Sequence, residues 1–179
     1  MRIIGGLFKS RIIQRVNLES TRETSDMVRQ AVFNMLNNRI EGVSLDLFAG
    51  SGAYGLESIS RGITKAYFCD NNSAAVSTII SNANYLKISE LCIIKNLEYL
   101  KMLDYLENNK IIFDYIFLDP PYHFSDIELL LERINCISKK GTLIILERNK
   151  NSELISNLKY EIVKEKVYGI KKIVIYKKI

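Results

Sequence analysis

The segment Asp119-Pro120-Pro121-Tyr122 contains the residues of this chain best suited to chemistry. It directly follows the apolar run 115–118, which predicts a strand that ends at Leu118. Two prolines fix the backbone and remove two N–H donors, so the Asp119 carboxylate and the Pro120 carbonyl are available as acceptors. Two acceptors can bind the N–H hydrogens of an exocyclic amine on a nucleobase and align its nitrogen for attack on a methyl donor. Tyr122 offers an aromatic face on which the base can stack.

The simpler alternative for this segment is a rigid turn that carries a surface tyrosine. His123 follows directly and is the only histidine of the chain. A lone histidine beside a loop has no partners with which to bind a metal, so we expect it to face solvent or to contact RNA.

A glycine loop lies upstream of this segment, between a predicted strand at 44–48 and a helix that reaches about Arg61. Gly50, Gly52 and Gly55 form a G-x-G-x-x-G pattern, in which the absence of side chains lets the backbone approach a ligand closely. The predicted cofactor-binding residues of the loop are Phe48, Ala49, Gly50, Ser51, Gly52 and Gly55. The pattern alone describes a dinucleotide site, or a tight turn, equally well.

Two carboxylates beside the loop bear on the identity of the cofactor. Asp70 ends the next predicted strand, where it can accept hydrogen bonds from both hydroxyls of a ribose, in NAD or in S-adenosylmethionine. Asp46 lies in the strand before the loop, where a buried carboxylate disfavours a pyrophosphate but can hold an ammonium group. Because S-adenosylmethionine has an ammonium and no phosphate, Asp46 favours it. The alternative is that Asp46 only accepts hydrogen bonds from loop amides.

The rest of the chain reads as alternating strands and helices, which predicts a mostly parallel sheet covered on both faces. Strands are predicted at 44–48, 66–69, 91–94, 115–118 and 142–146. Helices are predicted at 73–86, 98–107, 126–137 and 153–158. The runs 160–167 and 171–176, separated by Tyr168-Gly169-Ile170, predict a terminal antiparallel hairpin. We expect one domain over residues 1–179, with a basic N-terminal arm at 1–24, a helix at 25–38 and a catalytic core at 44–179.

Charge and cysteine content limit the partners. The net charge is +5, and a set of basic residues precedes the first predicted strand, among them Arg2, Lys9, Arg11, Arg15, Arg22 and Arg29. This favours an anionic partner such as a nucleic acid. Three dispersed cysteines show no disulfide or zinc spacing, and no apolar run is long enough to span a bilayer. We therefore expect a cytoplasmic protein with no metal and no membrane partner. A monomer is expected because a fold of this kind is self-sufficient.

At this point the sequence resembles a known family. The run 45–57 (LDLFAGSGAYGLE), taken with Asp119-Pro120-Pro121-Tyr122, resembles class I amino-methyltransferases. The N-terminal runs 2–6 (RIIGG), 9–11 (KSR), 21–24 (TRET) and 28–34 (VRQAVFN) resemble the bacterial 16S rRNA guanine-N2 methyltransferases of the RsmD type. The resemblance covers nearly the whole chain.

This resemblance implies a seven-stranded Rossmann-like fold, S-adenosylmethionine as donor with S-adenosylhomocysteine as product, and a guanine of 16S rRNA as substrate. The rRNA would be presented by the small ribosomal subunit or by its assembly intermediate. Asp46 and the glycine loop would hold the methionine part, Asp70 the ribose with Asn71 beside it, and Asn96 the adenine. The segment from Asp119 to Tyr122 would hold the flipped base. The expected RNA-binding residues are Arg2, Lys9, Arg11, Arg22 and His123.

The sequence departs from the family pattern at two positions. The family usually has glycine where Ser10 stands and proline where Glu23 stands, both in the segment expected near RNA. Glu23 adds a negative charge and loses a rigid backbone element, so the arm is expected to differ in shape or to bind phosphate more weakly.

Two other functions fit part of the sequence. A DNA adenine-N6 or cytosine-N4 methyltransferase also binds an exocyclic amine and flips its base, but such enzymes usually carry an extra recognition segment. A non-catalytic nucleotide-binding module would explain the glycine loop and Asp70, but would leave Asp119-Pro120-Pro121-Tyr122 without a role.

Overall fold

One sheet organises the chain in the computed structural model, which describes residues 1–16, 26–121, 123–155 and 159–179. Its strands are β1 (Gly42–Asp46), β2 (Ile63–Asp70), β3 (Cys92–Asn96), β4 (Phe113–Leu118), β5 (Ser138–Asn149), β6 (Tyr160–Tyr168) and β7 (Lys171–Lys178). Over the described residues these seven strands are arranged in the order β3-β2-β1-β4-β5-β7-β6. β1 to β5 are parallel, and β7 runs antiparallel to both β5 and β6.

Helices cover both faces of this sheet and complete a three-layer fold. They are α1 (Asp26–Met35), α2 (Ala53–Ser60), α3 (Ser73–Leu86), α4 (Tyr99–Asn108) and α5 (Ile127–Ile134). α1, α2 and α3 pack on one face, around Phe117 of β4. α4 and α5 pack on the other face, around Ile116. Because neighbouring residues of a strand point to opposite faces, β4 contributes to both cores. None of the helices in the described ranges is long and apolar enough to cross a membrane.

The predicted Rossmann-like class I methyltransferase fold, with its mostly parallel sheet and C-terminal hairpin, is confirmed. The helix predicted at 153–158 is wrong over its described part. Residues 151–155 form a turn and an irregular segment, and 156–158 lie outside the described residues. The turn is favoured because the Asn149 side chain accepts from Asn151 N at 3.0 Å while its carbonyl accepts from Ser152 N at 3.0 Å.

The first 16 residues fold back onto the helices of the core. Ile3 and Ile13 are buried in the same cluster as α2 and α3. Ile3 N donates to Arg11 O at 2.9 Å, and Arg2 pairs with Ile12 across an isolated antiparallel bridge. The segment expected to be a basic arm is thus attached to the protein along residues 1–16, and Arg22 lies outside the described residues.

Glu57 of α2 holds this N-terminal segment in place. Its carboxylate is fully buried and accepts from Ile4 N at 2.7 Å and from Gly5 N at 2.8 Å. Arg61 Nε donates to it at 2.7 Å, and Arg29 Nε lies 3.6 Å away. Two guanidinium groups and two backbone amides therefore compensate one buried negative charge, as a carboxylate in a protein interior requires.

Ser10 shows why its position suits glycine. Its φ is +71°, in the left-handed region that residues with a Cβ rarely adopt. Its N–H donates to Ile3 O at 2.9 Å, which closes the turn between the bridge partners Arg2 and Ile12. The departure from the family pattern at Ser10 therefore introduces local backbone strain, whereas Glu23 lies outside the described residues.

Replacing Glu57 by glutamine is expected to lower the free energy of unfolding by about 3 kcal/mol, because two arginines lose their buried counter-charge. Urea unfolding of Glu57→Gln against the wild type measures this loss. Glu128→Gln on the exposed surface of α5 is the matched control and should stay within about 0.5 kcal/mol of the wild type. Equal losses in both variants would contradict a central role for Glu57.

Candidate functional site

Three aspartates from three strands converge at the carboxyl edge of the sheet. Asp46 ends β1, Asp70 ends β2, and Asp119 follows β4 directly. β1 lies between the other two strands, and Asp46 pairs in register with Phe68 and with Phe117. Ligands of open α/β sheets bind along this edge. The structure thus brings together the predicted cofactor and catalytic carboxylates.

The glycine loop connects β1 to α2 across this edge. Gly50 and Gly52 have φ values of +53° and +80°, which only glycine adopts without strain. No heavy atom lies within 4 Å of the position that a Cβ would take at Gly50, so the backbone there faces open space. At Gly55 a Cβ would lie 2.1 Å from Phe68 Cε1, so this glycine allows α2 to pack closely on β2. Only Gly50 faces open space: a Cβ at Gly52 would lie 3.2 Å from Ile79 Cγ1, so Gly52 serves the turn and Gly55 serves packing.

Asp46 is buried beneath this loop. Its Oδ2 accepts from Gly55 N at 2.9 Å, which is the amide contact considered as the alternative role for this residue. Burial raises the pKa of the Asp46 carboxyl from 3.8 to about 7; the Gly55 hydrogen bond opposes this rise, and the charges of Asp119 and Asp70 add to it. A cation bound nearby would favour the ionised carboxylate, so the amide contact and a role in holding an ammonium are compatible.

Asp70 links the glycine loop to the end of β2. Its Oδ2 accepts from Gly50 N at 2.8 Å and its Oδ1 from Asn72 N at 2.9 Å. An ionised carboxylate has about four lone-pair positions, so Asp70 retains acceptor capacity for ribose hydroxyls. Asn96 lies beside it on β3 and donates to Asp70 O at 2.9 Å, while Asn71 donates to Glu98 Oε1 at 3.0 Å. All three predicted residues therefore lie at one end of β2 and β3.

The segment after β4 leaves the sheet as a rigid loop. Asp119, Pro120 and Pro121 are followed by a turn that Phe124 N closes on Pro121 O at 2.9 Å. The Asp119 side chain is 28% exposed, so it is accessible to a ligand at the edge. His123 is exposed at the tip of the turn, and Tyr122 lies outside the described residues.

A chain of polar side chains behind Asp119 is not predicted by the sequence. Lys171 Nζ contacts the Glu147 carboxylate and lies 3.9 Å from Asp119 Oδ2. Glu147 is buried, and its Oε2 accepts from the Tyr54 hydroxyl at 3.0 Å. The Tyr54 ring stacks on Phe117 with a centroid distance of 5.2 Å and an interplanar angle of 8°. No local sequence pattern signals these contacts, because the partners are up to 93 residues apart.

An aromatic cluster on the α4 side of the edge was also missed, apart from Phe48. Phe48, Tyr99 and Phe124 contact one another with centroid distances of 5.2 to 5.6 Å. They come from the loop after β1, the start of α4 and the loop after Asp119. A weak signal for Tyr99 existed, because it follows Asn96 at the carboxyl end of β3.

Asn82 of α3 connects the N-terminal segment to the glycine loop. This buried side chain donates to Ser51 O at 3.1 Å and to Gln14 O at 3.1 Å, and it accepts from Gln14 N at 2.7 Å. Lys9 and Arg11 are exposed on the same segment, and Arg2 forms an ion pair with Asp26 at 3.4 Å. The predicted RNA-binding residues among 1–16 therefore lie on a segment joined to the cofactor loop.

The carboxylates at this edge can accept hydrogen bonds from a ligand, and their negative charge favours a cationic one. Across the described part of the chain, no group of three or more histidine, cysteine, aspartate or glutamate side chains is arranged to hold a metal ion. Burial raises the pKa of the Cys69 thiol at the end of β2 to about 12, so it is a protonated packing group. The donor set fits S-adenosylmethionine better than a dinucleotide phosphate, because Asp46, Asp70 and Asp119 all repel anions.

Comparisons with known proteins point the same way. A family model described as conserved hypothetical protein 95 matches residues 1–177. The chain is 36% identical over 179 residues to the ribosomal RNA small subunit methyltransferase D of Haemophilus influenzae, covering 95% of this chain and 90% of that protein. The protein of the same name from Escherichia coli K12 is 32% identical over 144 residues, covering 80% of this chain and 69% of that one.

Solved structures are similar over the same length. A conserved hypothetical protein from Streptococcus pyogenes superposes with a TM-score of 0.79 at 32% identity, covering 84% of this chain and 95% of that one. A structure from Escherichia coli superposes with a TM-score of 0.85 at 27% identity, covering 99% and 97% of the two chains. The similarity therefore extends over the sheet, both helix layers and the N-terminal segment.

The raised pKa of Asp46 predicts a pH-dependent cost to folding. Between pH 4 and pH 7 the folded state keeps a proton that the unfolded chain has lost, so stability falls as pH rises through this window. From pH 5 to pH 8 the wild type should lose about 2–3 kcal/mol relative to Asp46→Asn, which keeps an acceptor for Gly55. Urea unfolding of both proteins at the two pH values measures this difference. Parallel behaviour of the two proteins would contradict it.

Proposed function

The chain belongs to the conserved hypothetical protein 95 family, the family of the RsmD-type small-subunit rRNA methyltransferases, and on this premise we propose that it methylates the exocyclic N2 amine of a guanine in 16S rRNA. S-adenosylmethionine is the proposed donor. The observation that carries the proposal is the position of Asp119, which lies at the carboxyl edge beside Asp46 and Asp70 with its side chain accessible.

The residues around the glycine loop suit the proposed donor. When bound, S-adenosylmethionine supplies a methyl group made electrophilic by its sulfonium. We propose that the open backbone at Gly50 and the Asp46 carboxylate hold the methionine part, and that Asp70 accepts from the ribose. Phe48, Ala49, Ser51, Gly52, Gly55, Asn71 and Asn96 are proposed to complete the cofactor site. The negative charge of this edge supports binding of a cationic ligand.

The Asp119 loop is proposed to hold the reacting amine. Asp119 Oδ and the Pro120 carbonyl would each accept one N–H hydrogen, which keeps the nitrogen lone pair available for methyl transfer. Pro121 keeps this part of the backbone rigid, because its ring fixes φ. Tyr122 is proposed to stack on the extruded base. The amine gains a methyl group and gives up one proton to solvent.

RNA binding is proposed to involve the basic N-terminal residues Arg2, Lys9, Arg11 and Arg22, with His123 beside the base. The proposed substrate is 16S rRNA in the small ribosomal subunit or its assembly intermediate, which a monomer of the protein would bind. The names of the Haemophilus influenzae and Escherichia coli relatives support the rRNA substrate. The exposure of Lys9 and Arg11 supports contact with phosphates.

The test is transfer of a labelled methyl group from S-adenosylmethionine to small ribosomal subunits from a strain that lacks the endogenous enzyme. We expect N2-methylguanosine in 16S rRNA, identified by mass spectrometry. Asp119→Ala should bind S-adenosylmethionine as the wild type does but lose about 100-fold or more in transfer rate, because an acceptor to the amine is removed. Asp119→Asn, which keeps one acceptor oxygen, should retain more activity than the alanine variant.

Other outcomes of this experiment separate the competing functions. Label in N6-methyladenosine, or in DNA offered as substrate, would keep the donor and the Asp119 loop but overturn the rRNA guanine assignment. Tight binding of NAD with no methyl transfer would favour a nucleotide-binding module. Undiminished transfer by Asp119→Ala would refute the proposed role of Asp119.

The double variant Lys9→Ala/Arg11→Ala is expected to weaken RNA binding and to flatten its salt dependence. Each phosphate contact releases counterions, so two lost contacts should reduce the slope of log K against log salt by about 1 to 2. Binding to a 16S rRNA fragment is measured from 50 to 200 mM salt. Lys101→Ala/Lys140→Ala removes the same charge from exposed positions on α4 and β5 and should leave the slope unchanged. The same slope for the wild type and Lys9→Ala/Arg11→Ala would exclude this segment from the RNA contact.

A further inference from the structure

An alternating chain of charges lies directly behind the Asp119 loop. Leu118 pairs with Leu146 on neighbouring parallel strands, so Asp119, directly after β4, lies level with Glu147 of β5. Two carboxylates at this spacing repel each other unless a cation separates them. Lys171, at the start of β7, supplies that cation, with Nζ on Glu147 and 3.9 Å from Asp119 Oδ2.

We propose that Lys171 is a positioning residue for the Asp119 loop, and that Glu147 and Tyr54 hold its ammonium in place. The proposal rests on the function proposed above, because it concerns the orientation of Asp119 toward a reacting amine. Lys171 acts through Asp119 and not on the base: its contact with the buried Glu147 keeps its ammonium behind the loop.

The burial of the partners makes this arrangement specific. The Lys171 side chain is only 15% exposed, and that of Glu147 is 2% exposed. An ion pair between a flexible lysine and an exposed carboxylate contributes little stability. A buried carboxylate requires a counter-charge, so Glu147 restricts the Lys171 ammonium to one position. The hairpin adds a second restraint, because Lys171 pairs with Asn149 of β5 and with Tyr168 of β6. The ammonium therefore approaches Asp119 from a fixed direction.

Tyr54 connects this chain to the cofactor side of the site. Its hydroxyl donates to Glu147 at 3.0 Å, and its ring stacks on Phe117, two residues before Asp119. The next residue is Gly55, whose N–H donates to Asp46 at 2.9 Å. The elements that carry the cofactor carboxylate and the Asp119 loop are thus joined by side chains from α2, β5 and β7. This joint fixes the spacing between donor and acceptor sites, on which methyl transfer depends.

Removal of Lys171 alone would leave Glu147 buried without a counter-charge, and the variant could unfold. The test therefore uses the double variant Lys171→Met/Glu147→Gln, which removes both charges and keeps an amide oxygen for the Tyr54 hydroxyl. Lys171→Arg keeps the cation in a conservative form. Lys172→Met is the matched control, because Lys172 is the next residue of β7 and contacts Ser152 O and Glu165 instead.

Steady-state methylation of small ribosomal subunits, S-adenosylmethionine affinity by calorimetry and the thermal unfolding midpoint are measured for each protein. The double variant should lose about 10- to 100-fold in kcat, while KM for subunits and cofactor affinity stay within about twofold of the wild type. Lys171→Arg, with Glu147 unchanged, should keep most of the wild-type kcat. Lys172→Met should match the wild type.

The outcomes distinguish this inference from the proposed function. A wild type that methylates 16S rRNA together with a double variant of unchanged kcat would overturn the inference alone. Parallel losses of kcat, cofactor affinity and unfolding midpoint, with the same losses in Lys171→Arg, would assign Lys171 a purely structural role and would also overturn it. A wild type that transfers no methyl group would refute the function, and the inference with it.

Discussion

The buried carboxylate of Glu57 is the interaction on which the rest of the structure depends most. It accepts from the backbone of Ile4 and Gly5 and faces the guanidinium groups of Arg29 and Arg61. α2, which carries Glu57, begins at the glycine loop, so the same helix shapes the cofactor site at one end and anchors the N-terminal segment along its length. The desolvation cost of the buried carboxylate is offset by these ion pairs and hydrogen bonds, which join the N-terminal segment, α1 and α2. Together with Asn82, which joins Gln14 to the glycine loop, Glu57 fixes the basic residues of the N-terminal segment relative to the site.

A second constraint acts at the carboxyl edge, where carboxylates crowd together. Burial and the charges of Asp70 and Asp119 raise the pKa of Asp46, so the edge is poised to gain from any cation placed near it. The Lys171 ammonium, 3.9 Å from Asp119 Oδ2, compensates part of the negative charge of this edge. The space above Gly50 is left for a ligand, and a positively charged one is favoured there. The same electrostatics that hold the loop in place thereby select the ligand.

The fold and the contiguous motifs could be predicted from the sequence because their signals are local. Alternating apolar runs predict strands and helices, and the segment Asp119-Pro120-Pro121 carries its chemistry within three residues. The contacts of Glu57 with Ile4, of Asn82 with Gln14 and of Lys171 with Glu147 could not be predicted, because each joins residues 24 or more positions apart through tertiary packing. The helix at 153–158 was predicted from the alternation of strands and helices, but the Asn149 side chain favours a turn before it. For Ser10 the sequence shows only that the family usually has glycine at this position. The structure supplies the reason, because the left-handed φ of Ser10 strains a residue with a Cβ.

The separation of charge across the molecule has a consequence for how the proposed substrate would reach the site. Exposed cations lie on the N-terminal segment, at Arg2, Lys9 and Arg11, whereas the carboxyl edge presents the partly exposed Asp70 and Asp119. An RNA backbone is attracted to the first surface and repelled by the second. A nucleobase is neutral and bears N–H donors that suit carboxylate acceptors. The arrangement therefore favours a base turned away from its phosphates, because only the base gains free energy by entering an acidic site. The charge distribution thus favours the base over the phosphates of the proposed substrate at the carboxyl edge.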